Sequence, residues 1–335
     1  MPALPPRSPA EALLADLRAS AERGAWVEVA QLCGERLDPG WIPNQPELGA
    51  LQAEALLRLG EFRSALASVE PAVPAFERRG DRAGLRRAVN LIGAAHFELG
   101  NLAEAEAAFE RALELATADR DDLLVARATN NLALIANIRG QHDTALTLYQ
   151  LAVASYQKVG GTAGLAGTFH NMAITYRDLR HLEEADDYER RAIEFAKQDR
   201  DPRLHAMARS GRAELSLLRG ESRVAEAGAR IAAGEFAAIP DPMGEADAMR
   251  LVGVAREAMG SAEAALDALD RSVFLAQQHG NAVIEAEARR ARGRILATVG
   301  QTVRAREDGQ AAIAIYGRLG AESEQALLEA WLSRL

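Results

Sequence analysis

Apolar and small side chains recur along the chain with the spacing of amphipathic helices, in segments of about 16 residues separated by short polar turns. Helix-start signals stand where these segments begin, since Asp201-Pro202 and Asp241-Pro242 each place a capping residue before a proline. No run of alternating apolar and polar residues is long enough to predict a strand. The pattern therefore predicts an all-α protein. The clearest predicted helices are 85–99, 102–116, 123–139 and 142–159.

Two series of turn residues repeat at multiples of 40 positions. Glycine at such a position supplies the left-handed conformation that ends a helix. The first series consists of Gly60, Gly100, Gly140, Gly220, Gly260 and Gly300, with Arg180 in the remaining place. The second series consists of Gly80, Gly160, Gly280 and Gly320, with Pro240, Arg120 and Arg200 completing it. A fixed period of this length indicates an internal repeat of helix pairs.

Small residues occupy fixed places relative to the first turn series. Helices approach closely only where side chains are small, so these places predict one crossing geometry for every pair. Five residues after the turn the chain has Ala65, Ala105, Ala145, Ala185, Ala225, Ala265 and Ala305. Seven residues before it come Ala53, Gly93, Ala133, Ala173, Ala213, Gly253 and Gly293, and twelve after it Ala72, Ala112, Ala152, Ala192, Ala232, Ser272 and Ala312.

Four residues depart from the repeat. Pro71 and Pro74 fall within the second helix of the first pair, where they predict a break or a kink. Arg212 and Arg292 occupy a position that is otherwise apolar. Two explanations stay open for the arginines: the register slips there, or their side chains extend from a loosely packed edge.

The segment NLIGAAHFELGNLAEAEAAFERALELA from Asn90 resembles the tetratricopeptide repeat motif, and NNLALIANIRGQHDTALTLYQLAV from Asn130 repeats it. Family repeats commonly have about 34 residues; the longer unit resembles those of LGN-type adaptors, kinesin light chains, Rap-type regulators and MalT-type sensor arms. The resemblance implies a right-handed superhelical solenoid of stacked antiparallel helix pairs. It also implies a concave groove lined by the first helix of each pair, where ligands bind.

The repeat predicts three parts of the chain. Residues 1–45 are a tail and a capping helix pair, with a capping box at Ser8 and Glu11, and residues 321–335 are a capping helix. Trp26, Trp41 and Trp331 all lie in these end segments, where we expect them to cover the exposed ends of the stack. Seven repeats fill 46–320, at about 46–80, 81–120, 121–160, 161–200, 201–240, 241–280 and 281–320.

Charge, cysteine content and hydropathy exclude several classes of function. A net charge of −9 opposes a general nucleic-acid role. The single cysteine, Cys33, permits no internal disulfide. The first ten residues lack the apolar run of a secretory signal, and no stretch approaches the ~20 apolar residues of a membrane span. We expect a soluble, cytoplasmic protein that binds neither nucleic acid nor membrane.

Motifs that carry chemistry are missing from the sequence. No Gly-Lys pair supports a phosphate-binding loop, and one cysteine excludes cysteine-rich zinc sites. The acidic run EEADDYE from Glu183 to Glu189 predicts a solvated helix face, and no isolated acid pair in an apolar context suggests acid–base catalysis. The sequence predicts no enzyme, cofactor or metal site.

The first helices of the central repeats are rich in amides. An asparagine side chain both donates and accepts hydrogen bonds, so it can pair with the backbone of an extended segment. The alternative is that these residues merely solvate or cap a helix face. Asn131 and Asn171 resemble the asparagine ladder of kinesin light chains and LGN-type adaptors. The predicted partner-binding residues are Asn90, Arg127, Asn130, Asn131, Asn137, His170, Asn171, Arg177, Arg250, Arg290 and Arg294.

Toward the C-terminus the predicted lining turns basic through Arg250, Arg290 and Arg294. A partner segment with an acidic end would complement it. Pairing with Glu285 and Glu287 on the protein itself is the alternative.

Three functions remain open. The first is an adaptor that binds a peptide or helical segment of a partner protein. The second is a regulatory receptor of the Rap or MalT kind, whose solenoid changes shape when a small ligand or peptide binds. The third is a structural subunit that self-associates through the apolar end helix around Trp331. We expect the protein to be either a monomer or a homodimer.

Overall fold

The computed structural model describes residues 8–160, 162, 164–239, 241–319 and 321–335. Residues 1–7 of the predicted N-terminal tail and the predicted turn residues Pro240 and Gly320 lie outside these residues. The described residues form helices and turns without a strand, which confirms the all-α prediction. None of their helices is both long and apolar enough to cross a membrane.

The chain divides into two compact units, unit 1 (Met1–Gly161) and unit 2 (Thr162–Leu335). In each unit every helix packs against the next one along the chain. Unit 1 contains α1 (Pro9–Glu22), α2 (Trp26–Arg36), α3 (Pro46–Arg58), α4 (Phe62–Val69), α5 (Ala72–Arg79), α6 (Arg82–Glu98), α7 (Leu102–Ala118), α8 (Asp122–Ile138) and α9 (His142–Lys158).

Unit 2 repeats the same helix-pair arrangement. Its helices are α10 (Leu165–Asp178), α11 (Leu182–Gln198), α12 (Pro202–Leu218), α13 (Ser222–Ala238), α14 (Pro242–Ala258), α15 (Ala262–Gln278), α16 (Ala282–Thr298), α17 (Thr302–Leu319) and α18 (Glu322–Leu332). The first helices of neighbouring pairs also contact one another, α10 with α12, α12 with α14 and α14 with α16. Unit 1 shows the same layer, because α3 contacts α6 and α6 contacts α8.

Small residues set the distance between the helices of a pair. All seven alanines of the series from Ala65 to Ala305 are fully buried. At Gly93 an added Cβ would lie 2.6 Å from Cε1 of Phe109, and at Gly253 it would lie 2.5 Å from Cγ of Leu269. Because these contacts leave no room for a methyl group, the glycines let α6 pack on α7 and α14 on α15.

The turns have the predicted conformation. Gly100 has φ 78°, and Arg180, which replaces glycine in the same series, has φ 62°. Arg120 and Arg200 are also left-handed, with φ 54° and 53°. A side chain in this region is strained by about 1–2 kcal/mol, so the repeat geometry imposes the conformation on these arginines.

The break predicted at Pro71 and Pro74 is present, because α4 ends at Val69 and α5 begins at Ala72. No register slip occurs at Arg212 or Arg292, whose helices both have the usual 17 residues. Each of these arginines instead forms an ion pair with an aspartate of a neighbouring helix.

Both chain ends cover apolar clusters. Trp26 and Trp41 pack beside a buried cluster that includes Leu13, Leu17 and Leu48. The Arg58 guanidinium lies 4.5 Å from the Trp26 ring centroid. In unit 2, Trp331 of α18 packs with Leu328 against α17.

Candidate functional site

Amide side chains line the first-helix layer of unit 1. Asn90 of α6 and Asn130 and Asn131 of α8 are half-buried. The Oδ1 atom of Asn90 is buried and has no hydrogen-bond partner among the described residues. A buried carbonyl oxygen without a donor costs free energy, so Asn90 offers an acceptor that a ligand's N–H group can satisfy.

Two other predicted residues of unit 1 differ from these three. Arg127 of α8 is exposed. The Oδ1 atom of Asn137 lies 3.0 Å from Nδ1 of His142, so Asn137 ties the end of α8 to the start of α9. The geometry therefore gives Asn137 a structural contact that the sequence did not predict.

In unit 2, His170 of α10 is buried and contacts a carboxylate. Its Nδ1 atom lies 3.0 Å from each carboxylate oxygen of Glu189 on α11. Asn171 is half-buried beside it, and Arg177 forms an ion pair with Glu214 of α12. His170 thus belongs to a polar cluster between helices.

The basic residues near the C-terminus differ from one another. Arg250 lies 2.7 Å from Asp247 and 3.2 Å from Glu287, so carboxylates of the protein neutralise it. Arg289 pairs with Glu285 in the same way. These contacts are the local pairing that the sequence left open.

Two basic residues remain available on α16. The guanidinium of Arg290 lies 6.0 Å from the Tyr316 ring centroid, and Arg294 is exposed. Among the residues that the structure describes, neither forms an ion pair within 4.0 Å. Arg290 and Arg294 are therefore the two predicted basic residues of this region without a carboxylate at ion-pair distance in the described part of the chain.

Glu189 is the residue that the sequence interpretation misplaced. The acidic run from Glu183 was predicted to be a solvated face, yet Glu189 is only 2% exposed. The prediction was wrong for Glu189 because the helix turns this one carboxylate toward α10 and α12. The signal was present in the repeat, since nine residues after the first-series turn the other repeats have Val69, Phe109, Tyr149, Ala229, Leu269 and Gly309.

Gly211 of α12 makes room for this carboxylate. A Cβ at position 211 would overlap the Oε1 atom of Glu189. The same position holds leucine at Leu51, Leu91 and Leu251. The buried glutamate and the glycine are therefore a matched pair of departures from the repeat.

Burial raises the pKa of the Glu189 carboxyl, and the nearby His170 and Arg177 offset only part of that effect. Burial alone would lower the pKa of the His170 imidazole, but the Glu189 carboxylate raises it above its ordinary value. Both pKa values are thus raised, so the pair holds protons more tightly in the folded protein than in the unfolded chain.

A cavity of about 300 Å³ opens beside this pair in unit 2. Volumes of this order are at the lower end of those that hold small ligands. Ser210 lines the cavity, is 7% exposed, and its Oγ atom has no hydrogen-bond partner among the described residues. The polar wall consists of His170, Arg177, Glu189, Arg203, Ser210, Glu214, Asp241 and Asp247, and the apolar wall of Ile174, Met207, Phe236, Met243, Leu251 and Ile284.

The described residues contain no cluster of three or more histidine, cysteine or acidic side chains placed to hold a metal ion.

The sequence matches a family model described as tetratricopeptide repeat over residues 48–118 and 124–198. No curated protein matches the chain significantly in sequence.

Several solved structures share the fold. A chain of the APC/C hetero-tetramer Cut9–Hcn1 has a TM-score of 0.67 and 14% identity, over 97% of this chain and 55% of that one. The present chain thus spans about half the length of that relative. A Rap protein complexed with Competence and Sporulation Factor has a TM-score of 0.64 and 14% identity, over 96% of both chains.

A third neighbour is a signal-transduction ATPase of the STAND class from Pyrococcus horikoshii, which has a tetratricopeptide repeat sensor. It has a TM-score of 0.61 and 16% identity, over 97% of this chain and 52% of that chain. Identities this low establish a shared fold only.

Proposed function

We propose that this chain, whose residues 48–118 and 124–198 match the tetratricopeptide repeat family, is a non-catalytic scaffold that binds a peptide or helical segment of a partner protein along its first helices. The proposed repeats fill residues 46–320, with the end segments as caps. The neighbours include a chain of a Cut9–Hcn1 hetero-tetramer and a Rap protein complexed with Competence and Sporulation Factor, which supports a binding role.

The observation that carries this proposal is the amide-lined layer of unit 1. Asn90, Asn130 and Asn131 are half-buried on neighbouring first helices, and no described residue donates a hydrogen bond to the Oδ1 atom of Asn90. An extended or helical segment brings backbone N–H and side-chain donors that such an acceptor needs. Arg127, exposed on the same helix as Asn130, adds a charge at the edge of this surface.

Unit 2 contributes a second, separately proposed surface. Asn171 and Arg177 lie on α10, and Arg290 and Arg294 lie on α16. Since Arg250 is already neutralised by Asp247 and Glu287, we assign the preference for an acidic partner segment to Arg290 and Arg294. Affinity for an acidic segment should then weaken as salt rises, and affinity indifferent to salt would remove this part of the proposal.

The test is partner capture from native cell extract, quantified by mass spectrometry, with changes at three asparagines. Asn130→Asp and Asn171→Asp each replace an amide donor by a negative charge with almost no change in shape. Asn90→Ala removes the unpartnered acceptor and puts in its place the residue that the first repeat has at Ala50. We expect captured partner to fall by about 10-fold or more, because Asn90→Ala leaves a partner donor without its acceptor and each aspartate removes a donor and faces backbone carbonyls.

Gln150→Glu is the matched control, because it makes the same chemical change on an exposed position of α9. It should leave capture unchanged. Circular dichroism and thermal melting confirm that each variant is folded. Capture that survives all three asparagine changes in folded protein would reject the proposed surface.

A further inference from the structure

The cavity of unit 2 lies where two residues of α12 differ from those at the same positions in other repeats. Gly211 leaves space above Glu189, and Ser210 replaces the asparagine found at Asn90 and Asn130. Both substitutions make α12 smaller at the point where it faces α10 and α11. A void of about 300 Å³ remains there, beside a buried carboxylate.

The polar wall of this cavity has unused hydrogen-bonding capacity. The Ser210 hydroxyl is buried and forms no hydrogen bond with any residue that the structure describes. The Glu189 carboxylate, which has about four acceptor positions, meets the single Nδ1 atom of His170 across both its oxygens. A ligand that donates hydrogen bonds would satisfy both groups at once.

The charge of the cavity wall determines which kind of hydrogen-bond donor the cavity favours. Four carboxylates line the cavity, against two arginines and His170. Arg177 is paired with Glu214, and Arg203 lies 2.7 Å from Asp241, so neither arginine is free for an anionic ligand. Asp247 is in turn paired with Arg250, so Glu189 is the lining carboxylate that is balanced by His170 and not by an arginine ion pair. The wall therefore carries a net negative charge once the His170–Glu189 pair has lost its proton, and this charge favours a cation.

The opposite wall is apolar. Met207, Phe236, Met243 and Leu251 face the space from α12, α13 and α14. A polar head and a short apolar stem would therefore both be accommodated. A cavity of this size admits a group comparable with one or two amino-acid side chains.

We propose that this cavity binds a protonated amine on a short apolar stem, with the ammonium group donating to Glu189 and Ser210. The amine comes either from a free small molecule or from a lysine or amino terminus of a bound segment. The inference needs unit 2 alone and does not depend on the partner surface of unit 1. A ligand of this kind fits the second function considered above, a regulatory receptor that binds a small ligand or a peptide.

Binding displaces a proton. The groups that face Glu189 are His170 and Arg177 from α10 and Glu214 from α12. An ammonium beside Glu189 favours its ionised form and opposes an imidazolium at His170. Affinity therefore increases as pH rises and the pair loses its proton, and the protein releases protons when the amine binds at a pH where the pair is still protonated.

The test is isothermal titration calorimetry of the full chain with hexylammonium, n-hexanol and hexanoate at fixed ionic strength. We expect saturable 1:1 binding of hexylammonium, about 10-fold or more weaker binding of hexanol, and no saturable binding of hexanoate. Titrations in buffers of different ionisation enthalpy should show proton release with hexylammonium. Hexanoate binding as tightly as hexylammonium, or no saturable binding of any probe, overturns the proposal.

A second arm separates the two sources of the amine. An acetylated peptide with one lysine flanked by apolar residues is compared with the same peptide acetylated on its lysine side chain. Tighter binding of the lysine peptide than of hexylammonium, lost on side-chain acetylation, assigns the amine to a bound segment. Tighter binding of hexylammonium assigns it to a free small molecule.

Three variants locate the site. Glu189→Gln should weaken hexylammonium binding by about 10-fold or more, and Ser210→Leu should abolish it by filling the cavity. Gly211→Ala, a smaller change that displaces the Glu189 carboxylate, serves if Ser210→Leu does not fold. Glu226→Gln is the control, because Glu226 is a partly buried, ion-paired carboxylate outside the cavity. Equal affinity in wild type and in folded Glu189→Gln and cavity-filling variants would refute the assignment.

Discussion

The buried His170–Glu189 pair allows a sharp test of whether these residues are present for stability or for binding. Glu189 is 2% exposed and His170 is 9% exposed, so both groups lose their water on folding. The same repeat positions hold Asn130 and Leu269 elsewhere in the chain. The double change His170→Asn, Glu189→Leu therefore uses only residues that this architecture already accommodates.

The expected magnitudes follow from desolvation. Glu189→Leu alone leaves a buried imidazole without its acceptor, which should cost about 1–3 kcal/mol of local stability. Replacing both partners removes the desolvation penalty together with the attraction, so the double variant should be as stable as wild type or more stable by about 1–4 kcal/mol. The two single variants and the double variant form a double-mutant cycle. Each single change should destabilise the protein, and the double change should cost less than the sum of the two single costs.

Hydrogen exchange of the amides of α10 and α11 is the appropriate assay, because stacked repeats unfold in parts and a single global transition does not isolate one pair. Urea unfolding followed by circular dichroism gives the accompanying global midpoint. A folded double variant that loses about 3 kcal/mol or more of local stability would show that the pair is a structural necessity, and the reasoning that links it to a ligand would fail.

The double variant also tests how the stability of the protein depends on pH. Both pKa values are raised in the folded protein, above ordinary values of 4.5 for Glu189 and 6.5 for His170. The folded state thus binds protons more tightly, and the stability from this pair is greatest below those values and declines as pH rises through the folded pKa values. As pH rises above about 4.5, the ordinary value for the Glu189 carboxyl, wild type should lose stability relative to the double variant. A difference that grows in the opposite direction contradicts the assigned shifts.

Three further predictions concern single positions. Arg200→Gly should raise stability by about 0.5–1 kcal/mol in thermal melting, because Arg200 has φ 53°, whereas Arg139→Gly, at φ −80°, should not. Phe109→Ala should cost about 3–5 kcal/mol in urea unfolding, since Phe109 is 1% exposed, and Phe274→Ala, at 55% exposed, less than about 1 kcal/mol. Burial raises the pKa of the Cys33 thiol to about 11, so its reaction with a disulfide reagent at pH 8 should be at least about 100-fold slower in folded than in urea-unfolded protein. Equal rates at Cys33, or equal costs at Phe109 and Phe274, would contradict the burial that these predictions use.

Local interactions explain why so much of the fold could be predicted. The turn residues, the N-caps at Asp201 and Asp241 and the break at Pro71 act within a few residues of their own positions. Their physical effects do not depend on distant parts of the chain. The family resemblance followed from the same local pattern.

The candidate site was predicted less well, and the reason is also physical. The sequence identified the amides of the first helices, but local spacing could not show that Asn137 meets His142 or that Arg250 meets Glu287 on a different helix. An acidic run such as 183–189 is solvated on most helices, and composition does not say which of its members faces inward. Comparing each position across the repeats would have singled out Glu189.

The sequence by itself determined where helices begin, end and pair, because periodicity, caps and turn residues act over short distances along the chain. Only the tertiary structure decided that His170, Glu189 and Gly211, which lie on three different helices, meet at one cavity with an unpartnered Ser210. That meeting depends on the packing of neighbouring helices, which brings together residues that are about 20 positions apart and have no local interaction.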